Sequence, residues 1–143
     1  MITVKHGVFH LQNERSSYLF RVRDGFLEHL HFGARVSASD ADALAVRPGC
    51  GWGDSTLYRE GSNANCLDIL PLEWSGCGRG DYRESPVELA QNGLPISTEF
   101  RYTGCEALKT PLPSALPASR GQATLAVYLE DSAAKLRLTL LYG

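Results

Sequence analysis

A chain of 143 residues has room for one domain with its own hydrophobic core but not for a second independent domain. Its hydrophobic fraction of 43% and charged fraction of 21% are those of a globular protein and exclude wholesale disorder. A net charge of -2 without any basic cluster argues against nucleic acid and anionic membranes as partners.

The N-terminal residues lead directly into a strand-like pattern, and no apolar run approaches the ~18 residues of a membrane span. We therefore expect a cytoplasmic protein with no membrane contact. The four cysteines, Cys50, Cys66, Cys77 and Cys105, show none of the close pairs that zinc sites use. In a reducing compartment they are expected to be free thiols, and we predict no metal and no other cofactor.

The first thirty residues alternate apolar and polar side chains with a period of two, which is typical of a sheet with one buried face. Because Asp24-Gly25 is a strong turn signal, we predict a hairpin over Ser17–Phe32. His29 and His31 are expected on one face of its second strand. They could supply half of a metal site, but no third ligand is near them in the sequence, so packed or hydrogen-bonded histidines are favoured.

Three segments without a simple period follow. Ser37–Leu44 is small and acidic and is predicted to form a short helical turn or a loop. Val46–Asn65 carries four glycines among polar residues, and long loops of that kind tend to be functional or mobile. Leu67–Pro86 contains acidic residues, arginines, glycines and aromatic residues at close spacing. It is either an ordered loop with its own polar network or a loop that faces a sugar or a subunit contact.

The C-terminal half has the alternation of strands again. A strand over Val87–Gln91 and a return strand over Ile96–Tyr102 flank Asn92-Gly93, the best hairpin turn signal in the chain. A last hairpin is predicted from Ala123–Leu129 and Lys135–Tyr142. No long amphipathic helix is visible, so the chain is predicted to be all-β.

The segment Leu67–Pro86 resembles the N-terminal domain of bacterial α-galactosidases of glycoside hydrolase family 36, whose pattern is Leu-Asp-x-Leu-x-x-Glu-[Tyr/Trp]-x-x-x-Gly-x-x-Asp-[Phe/Tyr]-Arg-x-Pro. The matching residues are Leu67, Asp68, Leu70, Glu73, Trp74, Gly78, Asp81, Tyr82 and Arg83. The family proline falls one place before Pro86. Further similar segments are Phe9-His10-Leu11 with Ser17-Tyr18, His29-Leu30-His31-Phe32-Gly33 and Glu99-Phe100-Arg101-Tyr102, so the resemblance covers most of the chain.

The resemblance implies an antiparallel two-sheet β-sandwich that is part of a larger β-supersandwich, with residues 1–143 as a partial N-terminal domain truncated at Gly143. The catalytic (β/α)₈ barrel and the C-terminal domain of the family would lie outside this chain. Retaining glycoside hydrolysis needs two carboxylates, and the family supplies them from that barrel, so no residue here is assigned a catalytic role. At least one sheet edge is expected to be open to pairing.

The resemblance also implies a parent enzyme that hydrolyses terminal α-galactosyl residues of oligosaccharides such as melibiose and raffinose, as a homo-oligomer that is tetrameric in the parent. The fragment alone is expected to be inactive and to contribute to oligomerisation and to the rim of the active site. In the motif itself, Arg79 and Arg83 lie among four acids and are expected to lower the pKa values of those with which they pair, which suits a fixed polar network and not a proton donor. These acids are Asp68, Glu73, Asp81 and Glu84. The substrate-proximal or interface candidates are Trp52, Asp54, Arg59, Glu73, Trp74, Asp81 and Arg83.

Two other functions remain open at this point. A freestanding carbohydrate-binding module would use Trp52 and Trp74 as stacking platforms, with Asp54 or Arg59 holding sugar hydroxyls, and it predicts measurable sugar affinity in the isolated chain. A purely structural or oligomerising β-domain predicts no sugar affinity, and these residues would then have surface and packing roles.

Overall fold

Two antiparallel sheets pack face to face in the computed structural model, which describes residues 1–46, 67–76, 78, 80–109 and 124–143. The first sheet has the order β1-β2-β3-β4, the second has the order β7-β8-β9, and β5 with β6 forms a separate hairpin. The strands are β1 (Ile2–Lys5), β2 (Val8–Gln12), β3 (Ser16–Arg23), β4 (Phe26–Ala34), β5 (Leu89–Gln91), β6 (Leu94–Ile96), β7 (Arg101–Leu108), β8 (Thr124–Asp131) and β9 (Leu136–Tyr142). The predicted all-β sandwich is confirmed.

Helical structure is short throughout these ranges. A 3₁₀ turn at Ala38–Asp40 leads into the helix α1 (Ala41–Leu44), and a second 3₁₀ turn spans Leu67–Ile69. Of the two structures considered for Ser37–Leu44, the helical turn is therefore the one that forms. None of the helices in the described ranges is long and apolar enough to cross a membrane.

The predicted hairpin over Ser17–Phe32 is confirmed as β3 and β4. Asp24 and Gly25 join the strands with φ angles of 48° and 86°. Positive φ at both turn residues matches the twist of the flanking strands, which is why an Asp-Gly pair is favoured there.

A β-bulge in this hairpin overturns one expectation. The register shifts between Leu19 and Phe20, so Leu19 lies opposite His31 while Phe20 lies opposite His29, and Leu30 is the extra residue on β4. Residues directly opposite each other share a face of the sheet. The prediction that His29 and His31 share a face is therefore wrong, because the extra residue places them on opposite sides.

The core of the sandwich fills the space between the two sheets. The rings of Phe9 and Phe20 stack with their centroids 4.5 Å apart. Tyr102 of β7 meets Phe9 edge-on at 5.9 Å, and Tyr142 of β9 stacks on Phe20 at 4.7 Å. Burying each large apolar side chain contributes roughly 1.5–3 kcal/mol, so this layer is the main source of stability. Its buried members are Phe9, Phe20, Leu27, Phe100, Leu125, Val127 and Leu129.

A second, smaller cluster covers the outer face of the first sheet. Leu19 and Leu30 pack there against Ala41 of α1, with Leu44 and Val36 at the margin. The helix is held in place because its apolar residues close this face of the sheet.

The hairpin at Asn92-Gly93 is confirmed, with φ angles of 53° and 77° at the two turn residues. Its return strand is shorter than predicted, because β6 ends at Ile96. The backbone N–H of Glu99 donates to Asp131 Oδ2 at 2.7 Å. That contact directs the chain into the second sheet, where β7 pairs with β8. The prediction of one strand over Ile96–Tyr102 is therefore wrong.

The last predicted hairpin is confirmed as β8 and β9. Asp131 fixes its turn as well, since the backbone N–H of Ala134 donates to Asp131 Oδ1 at 2.9 Å. Lys135 takes a positive φ of 56° before β9 begins. Tyr142, Leu140, Leu138 and Leu136 pack against the core from this strand, as the alternation predicts.

Candidate functional site

The motif segment lies along the edge of β4. The backbone N–H of His29 donates to Pro71 O at 2.6 Å, and that of Glu73 donates to Leu27 O at 3.0 Å. Leu67 and Leu70 pack with Phe26 in a third buried cluster. The segment is therefore joined to the first sheet by both backbone hydrogen bonds and apolar contacts.

Glu73 is the centre of a buried polar cluster that connects the two sheets. Its side chain is 4% exposed. Tyr18 of β3 donates its hydroxyl to Oε2 at 2.7 Å and Oε1 at 2.9 Å, and Tyr142 of β9 donates to Oε2 at 2.8 Å. His29 Nδ1 of β4 lies 2.8 Å from Oε1. We call these four residues the Glu73 cluster.

The two phenols of the Glu73 cluster are held in their protonated form. Burial, together with the hydrogen bond to Glu73, raises the pKa of Tyr18 above its ordinary value. Burial and the charge of Glu73 raise the pKa of Tyr142 in the same direction. Both oxygens of Glu73 are thus engaged by donors on three strands, which suits a structural contact between the sheets.

Asp81 organises the turn that follows. Its carboxylate accepts hydrogen bonds from Ser75 Oγ at 2.8 Å, the Gly76 N–H at 3.3 Å, and Arg83 through Nε at 2.8 Å and the backbone N–H at 3.3 Å. Burial alone would raise the pKa of Asp81, but the hydrogen bonds from Arg83 and Ser75 outweigh it and hold that pKa below its ordinary value. The expected effect of Arg83 is thus confirmed for Asp81, whereas Arg79 lies outside the described residues.

Arg83 connects this turn to the start of the motif. Its Nη1 donates to Leu70 O at 2.5 Å and its Nη2 donates to Leu67 O at 2.8 Å, while Nε holds Asp81. One guanidinium therefore holds one carboxylate and two carbonyls, those of the first residue of the 3₁₀ turn and of the residue that follows that turn. The planar fork of arginine allows all three contacts at once.

Two glycines in this turn are required by the geometry. A Cβ on Gly76 would collide with the carbonyl oxygen of Thr98. Gly78 has a φ of 102°, and a Cβ there would lie 2.8 Å from Ser97 Cβ. The glycine-rich composition of the motif thus reflects close backbone approach to the residues that precede β7.

Trp74 is partly buried. Its ring meets Phe100 edge-on at 6.3 Å and belongs to the margin of the sandwich core. Its Nε1 is buried and has no hydrogen-bond partner among the described residues, and the same holds for Asp68 Oδ1. The indole is thus held against the core and is not an exposed surface ring. By contrast, Tyr82 is 72% exposed between Asp81 and Arg83.

Another arginine ties the first hairpin to the second sheet. Arg101 donates from Nη1 to Asp24 O at 2.9 Å, and its guanidinium lies 4.4 Å from the ring centre of Phe26. It also holds Glu99 through Nε at 2.8 Å. Arg101 is therefore a structural contact at the end of the sandwich.

The structure describes four of the seven candidate residues and places them at three separate points. Glu73 belongs to the Glu73 cluster and Trp74 to the core margin. Asp81 and Arg83 belong to the turn in which Asp81 is hydrogen-bonded to Ser75, Gly76 and Arg83, and we call this turn the motif turn. Trp52, Asp54 and Arg59 lie outside the described residues. Cys105 is a free thiol, while Cys50, Cys66 and Cys77 also lie outside.

The sequence did not point to the partners of Glu73. Tyr18 and Tyr142 look like ordinary members of alternating strands, and they lie 55 and 69 positions from Glu73.

The sequence did not single out Glu28 either. Its side chain is fully buried and is held by Arg21 Nε at 2.7 Å and Arg23 Nη1 at 3.3 Å. The only available signal was the charge complementarity of Arg21 and Glu28, which pair across the predicted hairpin.

Within the described ranges, no group of three or more His, Cys, Asp or Glu side chains is placed to hold a metal ion. His31 Nε2 lies 2.8 Å from Ala34 O, and His29 is engaged by Glu73. Both histidines thus have hydrogen-bonding roles in the sheet.

The fold and these networks define an all-β sandwich domain with a polar motif at the edge of one sheet. The model of the glycosyl hydrolase family 36 N-terminal domain matches residues 25–143, and the chain belongs to this family.

Known proteins of the family are similar over nearly the whole chain. Alpha-galactosidase Mel36A of Lactobacillus acidophilus is 30% identical over 148 aligned positions, which cover 96% of this chain and 20% of that protein. The solved galactosidase domain of the alpha-galactosidase-sucrose kinase AgaSK superposes with a TM-score of 0.84 at 25% identity, covering 100% of this chain and 21% of that one.

The GH36 alpha-galactosidase AgaA of Geobacillus stearothermophilus, solved in complex with stachyose, gives a TM-score of 0.76 at 29% identity, over 94% of this chain and 20% of that one. A complex of AgaA with raffinose has also been solved. The present chain spans about a fifth of the length of the curated relatives that it matches.

Proposed function

We propose that this chain is the non-catalytic N-terminal domain of an α-galactosidase that hydrolyses terminal α-galactosyl residues of oligosaccharides such as melibiose, raffinose and stachyose. The observation that carries the proposal is the family match over residues 25–143. It is supported by AgaA, whose solved complexes contain raffinose and stachyose. The chemistry belongs to a (β/α)₈ barrel that lies, with a C-terminal domain, outside residues 1–143.

The carboxylates of the motif support a non-catalytic role. Retaining glycosidases need one ionised carboxylate free to attack the sugar and a second, about 5–5.5 Å away, that carries a proton. Asp81 is a poor proton donor, because its pKa is held below its ordinary value by Arg83 and Ser75. Glu73 has both oxygens engaged by phenols and an imidazole. Glu28 is held in the same way by two arginines.

The role that we propose for the domain in the parent enzyme is to shape subunit contacts and the rim of the active site. Trp52, Asp54 and Arg59 are the candidates for reaching substrate or a neighbouring subunit, and the motif turn is the framework next to them in the chain. We also propose a homo-oligomer, tetrameric in the parent, and a cytoplasmic location. The free thiol of Cys105 is consistent with a reducing compartment.

A carbohydrate-binding module is the alternative function. It receives less support, because Trp74, one of its two expected stacking platforms, is packed against Phe100. The two functions differ in what they predict for the isolated chain. A binding module gives a saturable change in tryptophan fluorescence when raffinose or galactose is added, and the proposed domain gives none.

The experiment that tests the proposal is domain replacement. The aligned N-terminal fifth of Mel36A is exchanged for this chain, and raffinose hydrolysis is compared with that of intact Mel36A and of Mel36A without its N-terminal fifth. We expect the chimera to hydrolyse raffinose and the truncated enzyme not to. A folded chimera without activity, beside an active Mel36A, would refute the proposal.

A further inference from the structure

The turn at Asn92-Gly93 lies at the tip of the β5-β6 hairpin, which belongs to neither sheet of the sandwich. Between Asp81 and Thr98, which are both buried, no residue of the chain is buried. None of the apolar residues of β5 and β6 belongs to the three buried clusters of the described residues. A two-stranded hairpin without such packing is only marginally stable in water. The hairpin is therefore expected to open locally while the sandwich stays folded.

The side-chain amide of Asn92 and the backbone nitrogen of Gly93 have no competing contacts within the described part of the chain. Both residues are exposed, and a Cβ on Gly93 would meet nothing within 4 Å. Neither the amide of Asn92 nor the backbone N–H of Gly93 makes a hydrogen bond to the described residues. Because glycine has no side chain, its backbone nitrogen is open to close approach by the preceding residue. An amide carbon that is open to attack therefore lies next to an unshielded backbone nitrogen.

We propose that Asn92 is a site of spontaneous deamidation and isomerisation, with water as the only co-reactant. The backbone nitrogen of Gly93 attacks Cγ of Asn92 and loses its proton to solvent. As this C–N bond forms, the bond between Cγ and the side-chain nitrogen breaks, and that nitrogen takes up a proton and leaves as ammonia. Water then opens the cyclic imide. Attack of water at Cγ gives aspartate, whereas attack at the backbone carbonyl carbon gives isoaspartate, in which the chain continues through the side chain.

The closed turn limits the rate of this reaction. Asn92 and Gly93 have φ angles of 53° and 77°, as two-residue hairpin turns require. The Gly93 nitrogen must rotate toward the side chain of Asn92 before the ring can close, so the turn has to open first. Because the hairpin alone is marginally stable, we expect deamidation in the folded chain to be at most about tenfold slower than in the unfolded chain. A requirement for global unfolding would instead slow it by about a thousandfold or more.

Isoaspartate in place of Asn92 removes the turn but not the sandwich. Its backbone is longer by one carbon atom, which disrupts the register of β5 with β6. The base of the hairpin is held independently of the turn, because Gly76 packs closely against Thr98. We therefore expect the NMR chemical shifts of β5 and β6 to move toward those of an unfolded chain, while the Tm changes by about 1 °C or less.

The test follows the chain of 143 residues during incubation at neutral pH, well below its Tm. Trypsin releases peptide 84–101, in which Asn92 is the only asparagine, and peptide 6–15, which contains Asn13. Asn13 is the internal control, because a glutamate follows it and its Oδ1 accepts three hydrogen bonds from Arg15 and Ser16. We expect mass spectrometry to show conversion of amide to acid at least about tenfold faster in peptide 84–101 than in peptide 6–15, with release of ammonia and formation of isoaspartate.

A variant and an unfolded reference complete the test. Asn92→Gln should abolish the conversion in peptide 84–101, and a conversion that persists would arise from Gln91 and overturn the proposal. The same chain in concentrated urea gives the rate of the unfolded reference. A rate in the folded chain that is about a thousandfold or more below this reference would overturn the proposal, as would equal rates for the two peptides of the folded chain.

Discussion

Glu73→Ala is expected to be one of the most destabilising substitutions in the motif. It leaves the hydroxyls of Tyr18 and Tyr142 and Nδ1 of His29 without their acceptor. Each buried donor that loses a charged partner costs about 1–3 kcal/mol. Because the side chain of His29 is 30% exposed, its share lies at the low end. We therefore expect a loss of roughly 3–5 kcal/mol, a large part of the free energy of unfolding of a small domain.

The assay is urea unfolding at neutral pH, followed by tryptophan fluorescence. Glu73→Gln keeps the volume and one carbonyl acceptor, so it is expected to cost about 1–2 kcal/mol. Glu84→Ala is the control, because Glu84 is an exposed acid of the same motif and its removal should change the free energy of unfolding by less than about 0.5 kcal/mol. If Glu73→Ala costs no more than Glu84→Ala, the Glu73 cluster does not join the sheets as described.

Three further predictions concern the same framework. Asp81→Asn should lower the free energy of unfolding at neutral pH, and the difference from the original protein should shrink as pH falls below about 4. The pKa of Asp81 is lowered by folding, so its ionised form stabilises the protein above the pKa of the unfolded state, and this stabilisation is lost as pH falls through the pKa of the folded state. A difference in unfolding free energy that stays constant during acid titration would contradict this. The pKa of Tyr142 is raised by folding, so its protonated hydroxyl stabilises the protein below the unfolded-state pKa near 10, and this stabilisation is lost at higher pH. Tyr142→Phe should therefore reduce the loss of stability in alkaline solution. An unchanged dependence of stability on alkaline pH would contradict this role of Tyr142. Gly76→Ala should lower the free energy of unfolding by about 1–3 kcal/mol, because the added Cβ overpacks against Thr98. Gly104→Ala is the control and should change the Tm little, because a Cβ there meets open space. Equal Tm shifts for the two variants would contradict the close approach of Gly76 to Thr98.

The local turn chemistry was readable from the sequence. Asp24-Gly25 and Asn92-Gly93 both predict hairpins, and both adopt the positive φ angles that such turns require. The alternation of β9 likewise predicts its inward face. These features depend only on neighbouring residues, which is why a period of two and a turn dipeptide suffice to predict them.

Features that depend on distant contacts were not predictable in this way. The bulge that separates His29 from His31 leaves no mark in the alternation of β4. The end of β6 at Ile96 is set by contacts around Asp131, far along the chain. The Glu73 cluster likewise joins positions from both ends of the chain. The family motif located Glu73, Asp81 and Arg83, but only the structure assigns their contacts.

The most direct test of the central claim is the hydrolysis of a chromogenic α-galactoside by the isolated chain of 143 residues. A framework domain whose motif acids are occupied by tyrosines, a histidine and an arginine should give no rate above the buffer blank, at any pH at which it stays folded. A measurable rate that is abolished by Glu73→Gln or Asp81→Asn, in variants that remain folded by circular dichroism, would contradict the account.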